Sequence, residues 1–516
     1  MSSVSSDQHR IDPTFTALPY RRLAEAALNR ARDFGVGHAD FRFERVRYQH
    51  FSVRDGQLQG AEDSEDVGFG VRVLHEGAWG FASGVILTRD AAVMVAEQAV
   101  RVAQVAAGMT RTPIELAPEP VYDDVAWCSA YDVNPFQVPL GEKVDVFRGW
   151  TSRLLAADAV DHASGSLQQV QENKFYADLA GTTTTQQRVR LKPQLEAFGS
   201  DESSGTFDSM RTISAPVARG WEYLAGTSAT SWDFDTEIEQ LPGMLREKLL
   251  APSVEAGTYD LVIHPSNLWL TIHESIGHAT ELDRALGYEA NYAGTSFATY
   301  DKLSSLQYGS PVMHVIGDRT TPHGLASVGY DDEGVQSQEW DIIRDGVLVG
   351  YQLDRSMAHT YGAELNGGRS NGCAYADSPG HIAIQRMANV SLQPDPAGPD
   401  TDGLVGKVER GIYVVGDRSW SIDMQRYNFQ FTGQRFYRIE GGTLTGQLRD
   451  VAYQATTTDF WGAMEAVGGP QTYELGGAFN CGKAQPGQVA SVSHGCPSAL
   501  FRQIRILNTT KEGAAE

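Results

Sequence analysis

The run His273-Glu274-Ser275-Ile276-Gly277-His278 places two imidazoles around a carboxylate. Neutral imidazole nitrogens can hold a metal ion, and a carboxylate beside them can take a proton from a water that the metal acidifies. The chemistry implied is metal-assisted hydrolysis. The familiar zinc-protease motif His-Glu-x-x-His spaces its histidines by four positions, whereas five separate His273 from His278. On a regular helix, four positions return to within about 40° of the starting direction and five overshoot to roughly 140°. A plain α-helix would therefore aim these two rings apart. One wide turn of the i to i+5 type brings them nearly above each other, and such turns are frequent at functional sites. Gly277 eases such a distortion. The spacing thus predicts a wide turn or local unwinding between Glu274 and His278, and a regular helix there would exclude a shared metal.

With thirteen His in 516 residues, a pair at this offset is expected by chance about 0.3 times, and a Glu after the first lowers that to about 0.02. Catalytic metal sites usually take three protein ligands and leave the fourth position to water. Candidates for the third are Glu281 and Asp283 nearby, or Cys128, Cys373, Cys481 and Cys496 at a distance. Cys481 stands in Gly476-Gly477-Ala478-Phe479-Asn480-Cys481-Gly482-Lys483, where flanking glycines permit close backbone approach. Lys483 would favour the thiolate, the form that binds metal. The alternative for Cys481 is a buried thiol acting as a small hydrophobe.

These residues resemble the TldD/PmbA metallopeptidases, specifically the TldD-type subunit that carries the metal. The resemblance covers nearly the whole chain through His273-Glu274-x-x-x-His278-x-x-Glu281-x-Asp283, Arg386-Met387-Ala388-Asn389 and Cys481-Gly482-Lys483. The run Pro265 to Glu274 and the stretch Asn480 to Lys483 look like the actinobacterial branch. The resemblance implies that His273, His278 and Cys481 bind one Zn2+ per chain and that Glu274 is the general base. It also implies a PmbA/TldE-type partner subunit, with this chain as the catalytic half, and short, extended or unfolded peptides as substrates. A homodimer is the assembly to look for when the chain is alone. Two departures are the longer loop Ala484-Gln485-Pro486 before Gly487, and Gly368-Arg369-Ser370, where a second basic residue is expected after the Arg.

A chain of 516 residues suggests two or three domains. The reading here is α+β: an N-terminal α+β subdomain over 1–120, a central one over 121–250, and a β-rich metallopeptidase domain over 251–516 that carries the His-Glu-x-x-x-His helix. The segment Met1 to Asp12 is polar and lacks the apolar core of a secretory signal. No stretch approaches the ~18 uninterrupted apolar residues of a membrane span. Four cysteines make no disulfide framework, so a cytoplasmic setting is the expectation. The 42 Lys and Arg stand against 65 Asp and Glu, a formal net charge of −23, which argues against nucleic acid as a ligand.

Tyr20 to Phe34, Leu87 to Val105, Glu142 to Ala157 and Thr236 to Leu250 read as helices. His38 to Val53, Val67 to Ala82 and Ala163 to Phe198 read as strands, with turns at Arg54-Asp55-Gly56 and Glu76-Gly77. Thr112 to Val121, with three prolines, marks a boundary. Tyr259 to His264 reads as a short strand, and Pro265-Ser266-Asn267 as the start of the helix that enters the motif. Tyr427 to Phe431 alternates aromatic with amide residues, as a strand with one buried face does.

In the implied mechanism Glu274 takes the water proton and passes it to the leaving amine. A second donor for the charge on the carbonyl oxygen, worth roughly 2.7 to 4 kcal/mol in comparable sites, has Arg386, Arg369 and His381 as candidates. Two other functions fit the motif: an amide hydrolase of specialised-metabolite biosynthesis, and a non-catalytic interaction subunit with a structural metal. Glu274 argues against the latter, because a closed structural site has no use for an adjacent base.

Overall fold

A computed structural model describes residues 10–226, 231–485 and 487–512 of the chain. Two sequence expectations touch residues outside that set: most of the polar segment Met1 to Asp12, and Pro486 in the loop after Lys483.

The N-terminal half is built on one long antiparallel sheet with a parallel edge. Strands Ala78–Gly84, Gln57–His75, His38–Arg54, His162–Asp178, Thr183–Asp201 and Val125–Cys128 lie side by side in that order, with Thr206–Arg211 added to Thr183–Asp201. The turn at Asp55-Gly56 has positive φ at both residues, as a tight two-residue hairpin requires. From Asp40 to Arg54 the strand His38–Arg54 pairs without a break with His162–Asp178, so segments 1–120 and 121–250 share one sheet. Two apolar cores lie toward the two ends of that sheet, and both draw on both segments: Phe175 and Ala177 join the first, Phe51 and Val53 the second. Helices Tyr20–Asp33 and Arg89–Ala107 cover Phe41, Phe43, Phe69 and Val71 toward one end. Helices Leu140–Leu155 and Phe234–Leu250 cover Phe51, Val53, Leu167 and Leu195 toward the other.

The C-terminal half is β-rich. Strands Arg410–Ile422, Gly257–Ile263, Ala499–Asn508, Val451–Thr456 and Asn428–Glu440 pair in sequence, and the last pairs back with the first. This ring of pairings encloses Phe429, Phe431, Tyr453 and Phe501 in the largest apolar core. A separate two-stranded ribbon, Glu474–Lys483 with Gln488–Cys496, packs beside it.

Between the ring and the ribbon runs helix Pro265–Ile272, almost wholly buried, with its polar Ser266, Asn267 and Thr271 each hydrogen-bonded, as polar groups inside a core must be. Pro265 sits at its first turn, where a missing N–H costs nothing, and the His264 side chain caps it by accepting from the Ser266 N–H at 3.2 Å. Asn267 is tied by its amide to the carbonyls of Gly416 and Thr432, which fixes the helix against two strands of the ring. The motif histidines follow directly from this anchored rod.

Candidate metal centre

The wide turn that the spacing predicts is present. His273–Gly277 forms one π-helical turn, closed by the His278 N–H donating to the His273 carbonyl, and His278–Thr280 continues as a 3-10 turn. A turn of this kind frees carbonyls from the regular ladder, and buried carbonyls need partners. Tyr308 donates its hydroxyl to the Ser275 carbonyl, and Gln352 donates its amide to the Gly277 carbonyl at 2.7 Å. Gly277 has ordinary helical φ of −52°, so backbone freedom is not its use. Its use is space: a Cβ there would lie 2.6 Å from the Met387 sulfur.

The turn sets the His273 and His278 rings 4.6 Å apart between centroids. The ribbon brings Cys481 to them, its Sγ 3.6 Å from His278 Nε2. One donor atom from each of His273, His278 and Cys481 lies within 4.8 Å of the others, and all three residues are buried. Cys128, Cys373 and Cys496 are not part of this cluster.

Each imidazole has its outer nitrogen committed. His494 Nδ1 lies 2.8 Å from the Val390 carbonyl, which only accepts, so that nitrogen carries the proton. Its bare Nε2 then accepts from His273 Nδ1–H at 2.7 Å, and the lone pair of His273 is left on Nε2. His278 Nδ1 donates to Glu281 Oε2 at 2.9 Å, which leaves Nε2 facing the thiol. Burial, together with the neighbouring His278 and His494, holds His273 well below the usual histidine range, and burial brings His494 down to about 4. Burial also lowers His278 to about 3, against the pull of Glu281. All three rings are neutral at pH 7, the form that binds metal.

Glu281 and Asp283, candidate third ligands on sequence, stand outside the cluster. Burial alone would raise Glu281, but Lys483, His278 and Arg284 outweigh it and keep the carboxylate ionised. Lys483 Nζ donates to Glu281 Oε1 at 3.0 Å, to Asp283 Oδ1 at 2.8 Å and to Gln385. The lysine therefore neutralises these carboxylates rather than activating Cys481, whose thiol burial pushes up to about 11. A cation at the site would reverse that shift.

Glu274 lines a pocket of about 500 Å³ with His273, His278 and Cys481. Burial raises its pKa above the usual value, opposed chiefly by Arg426. Arg426 Nη1 donates to Glu274 Oε2 at 2.5 Å, from a residue in the left-handed region at φ 64°. The three donors considered from sequence are engaged elsewhere: Arg386 on the carbonyls of Cys481 and Gln488, Arg369 on Glu119, and His381 on Asp377. Arg386 holds the ribbon that carries Cys481. Arg426 and His494 were invisible to sequence reasoning, since neither belongs to a motif and His494 lies 221 positions from the ring it touches.

Residues 256–508 match the family model of the PmbA/TldA metallopeptidase C-terminal domain, and residues 39–103 match that of PmbA/TldA metallopeptidase domain 1. The chain belongs to the PmbA/TldD family. A metalloprotease of Methanothermobacter thermautotrophicus is 27% identical, over 92% of this chain and 96% of its own length. A zinc metalloprotease TldD homolog of Saccharolobus solfataricus is 23% identical, over 93% of this chain and 98% of its own. The crystal structure of TldE from Thermococcus kodakarensis superposes with a TM-score of 0.66 at 16% identity, covering 94% of this chain and 99% of that one, and shares the fold. As a PmbA/TldD-family member the chain is a metallopeptidase. Among the described residues no helix is long and apolar enough to cross a membrane.

Proposed function

We propose that this chain is the zinc-bearing, catalytic subunit of a two-chain peptidase that hydrolyses short or unfolded peptides. His273, His278 and Cys481 are the ligands and Glu274 is the general base. The observation that carries the reading is the meeting of two imidazoles and one thiol within 4.8 Å, each ring with its outer nitrogen already bonded. A thiolate with two imidazoles is a soft, tetrahedral donor set that suits one zinc and leaves a position open. When bound, zinc would acidify a water and polarise the scissile carbonyl.

The residues supply the rest. Glu274, buried and raised, is a better base than an exposed carboxylate and sits in the wall of the same pocket as the three ligands. It takes a proton from the attacking water and returns it to the leaving amine. Arg426 offers fixed positive charge in that wall, where negative charge grows on the carbonyl oxygen. Among the described residues, strand Glu474–Lys483 pairs on one edge only. An extended peptide can add to the other edge through backbone hydrogen bonds, which reads chain rather than side chain.

The likeness to TldE supports a PmbA/TldE-type partner, and four free cysteines support a cytoplasmic setting. The test is to express the chain alone and with such a partner, then measure zinc per chain, assembly size and cleavage of unstructured peptides. One zinc per chain with cleavage that needs the partner is the expected result. Equal cleavage in both preparations would remove the partner from the reading, and a metal-replete protein without zinc would remove the centre.

A further inference from the structure

A second cavity, of about 650 Å³, adjoins the metal pocket and shares Trp269, Trp420, Ala478 and Asn480 with it as common wall. Glu474 to Asn480 of the ribbon line it, so the strand end that leads to Cys481 forms its floor. Seven residues of strand span roughly 23 Å at about 3.3 Å each, room for several residues of an extended peptide.

The charge of this cavity runs against that of the chain. Lys192, Arg211, Arg219 and Arg418 line it, against Asp417 and Glu474, in a protein with a net charge of −23. Two of the cations are already paired: Arg211 with Asp417 at 3.3 Å and Arg418 with Asp208 at 2.5 Å. Among the described residues, the side chains of Lys192 and Arg219 make neither a hydrogen bond nor an ion pair, and the carboxylates that act on them from further off are Asp417 on Lys192 and Glu222 and Asp132 on Arg219. Both are only partly exposed. Cations partly withdrawn from water gain most from an anionic partner, and a guanidinium pairs in a fork with carboxylate or phosphate oxygens, of which an unmodified peptide carries only carboxylate.

We propose that this cavity is a carboxylate-binding subsite: the peptide lies along Glu474–Asn480 with its scissile bond in the metal pocket, and Lys192 and Arg219 hold a carboxylate several residues away. The inference rests on the peptidase reading above and adds a substrate class to it. The carboxylate comes either from the peptide's C-terminus or from an Asp or Glu side chain.

The test uses the zinc-loaded full chain with its partner, carrying Glu274→Gln so that binding is read without turnover. Calorimetry compares a hexapeptide of neutral residues with a free C-terminus, the same peptide amidated, and amidated peptides with one Asp at successive positions. A carboxylate should tighten binding by about tenfold, and the gain should shrink as salt is raised. Restoration of binding by an internal Asp identifies the side chain as the source, and loss on amidation without rescue identifies the C-terminus. Lys192→Gln and Arg219→Gln should each reduce the acid-to-amide ratio, and the double variant should bring it to one. Equal binding of acid and amide, no binding of either, or an unchanged ratio in a folded double variant overturns the subsite. Wild-type cleavage of all peptides at one rate would leave the peptidase reading intact while removing the subsite. A binding preference with no cleavage by wild type would do the reverse.

Discussion

His494 Nε2 accepts a hydrogen bond from His273 Nδ1 at 2.7 Å, and the far side of the His494 ring is fixed by the Val390 carbonyl. This relay sets both the orientation of His273 and the nitrogen that carries its lone pair. Loss of such an outer partner typically weakens metal binding by about 10- to 100-fold. His494→Ala should therefore lower zinc affinity by that factor in a chelator competition, while His494→Gln, which can still accept at that place, should recover part of it. Unchanged affinity in His494→Ala would separate the relay from the centre.

Cys481 and Cys496 lie on the two strands of one ribbon, yet only Cys481 faces the imidazoles. The Cys496 thiol lies 3.7 Å from the Pro265 carbonyl, where it packs against the start of the motif helix. Elemental analysis should find zinc lost from Cys481→Ala and retained at one per chain in Cys496→Ala. Loss from Cys496→Ala alone would assign the third ligand wrongly.

Glu274 and Arg426 form the ion pair that tunes the base. Glu274→Gln should keep its zinc and lose about 10²- to 10⁴-fold in kcat, the usual worth of a positioned acid or base. Arg426 lowers the pKa that burial raises, so its removal leaves the carboxyl protonated to a higher pH. Arg426→Met should shift the acid limb of the kcat/KM profile upward and cost about 10²- to 10³-fold in kcat. A profile that keeps its acid limb would take Glu274 out of the role of base.

The sequence was most legible where physics is local. Tyr20 to Phe34 reads as a helix from its apolar face and forms Tyr20–Asp33; the five-residue spacing of the histidines requires a wide turn, and the turn is there. It was least legible where partners meet across the fold. Lys483, two positions from Cys481, looked like its activator, but a long flexible side chain reaches past its neighbour to Glu281 and Asp283. Arg426 occupies a left-handed backbone position that no composition signal marks for a non-glycine residue. Strand pairing between His38–Arg54 and His162–Asp178 likewise joins segments whose separate patterns carry no record of each other.

Gly277 gives a test of the packing that supports the wide turn. A Cβ there would stand 2.6 Å from Met387 Sδ and 3.4 Å from His494 Cε1, inside a core where Met387 is 3% exposed. Overpacking of this kind costs about 1–3 kcal/mol. Gly277→Ala should lower the Tm and weaken zinc binding through His494. Adding Met387→Ala removes the colliding atoms and should restore zinc affinity more than it restores stability, because it leaves a cavity of its own. If the double variant binds zinc no better than Gly277→Ala, the collision is not what disturbs the centre.

His264 ties the stability of the motif helix to pH. Its Nδ1 accepts from the Ser266 N–H as the helix cap, and burial lowers its pKa from 6.5 to about 4. Between those values the unfolded chain binds a proton that the folded chain refuses, so stability falls as pH falls from about 6.5 toward 4. A shift of this size corresponds to on the order of 3 kcal/mol. His264→Asn keeps a side-chain acceptor for the cap and removes the titration. In chelator-treated protein its Tm should stay near that of the parent at pH 7.5 and decline less steeply between pH 6.5 and 4.5. His278 and His494 act in the same direction in both proteins, so the difference in slope reports His264 alone. Identical slopes would mean that His264 is protonated in the fold over this range, paired with Glu474, whose carboxylate lies 3.6 Å from its Nε2.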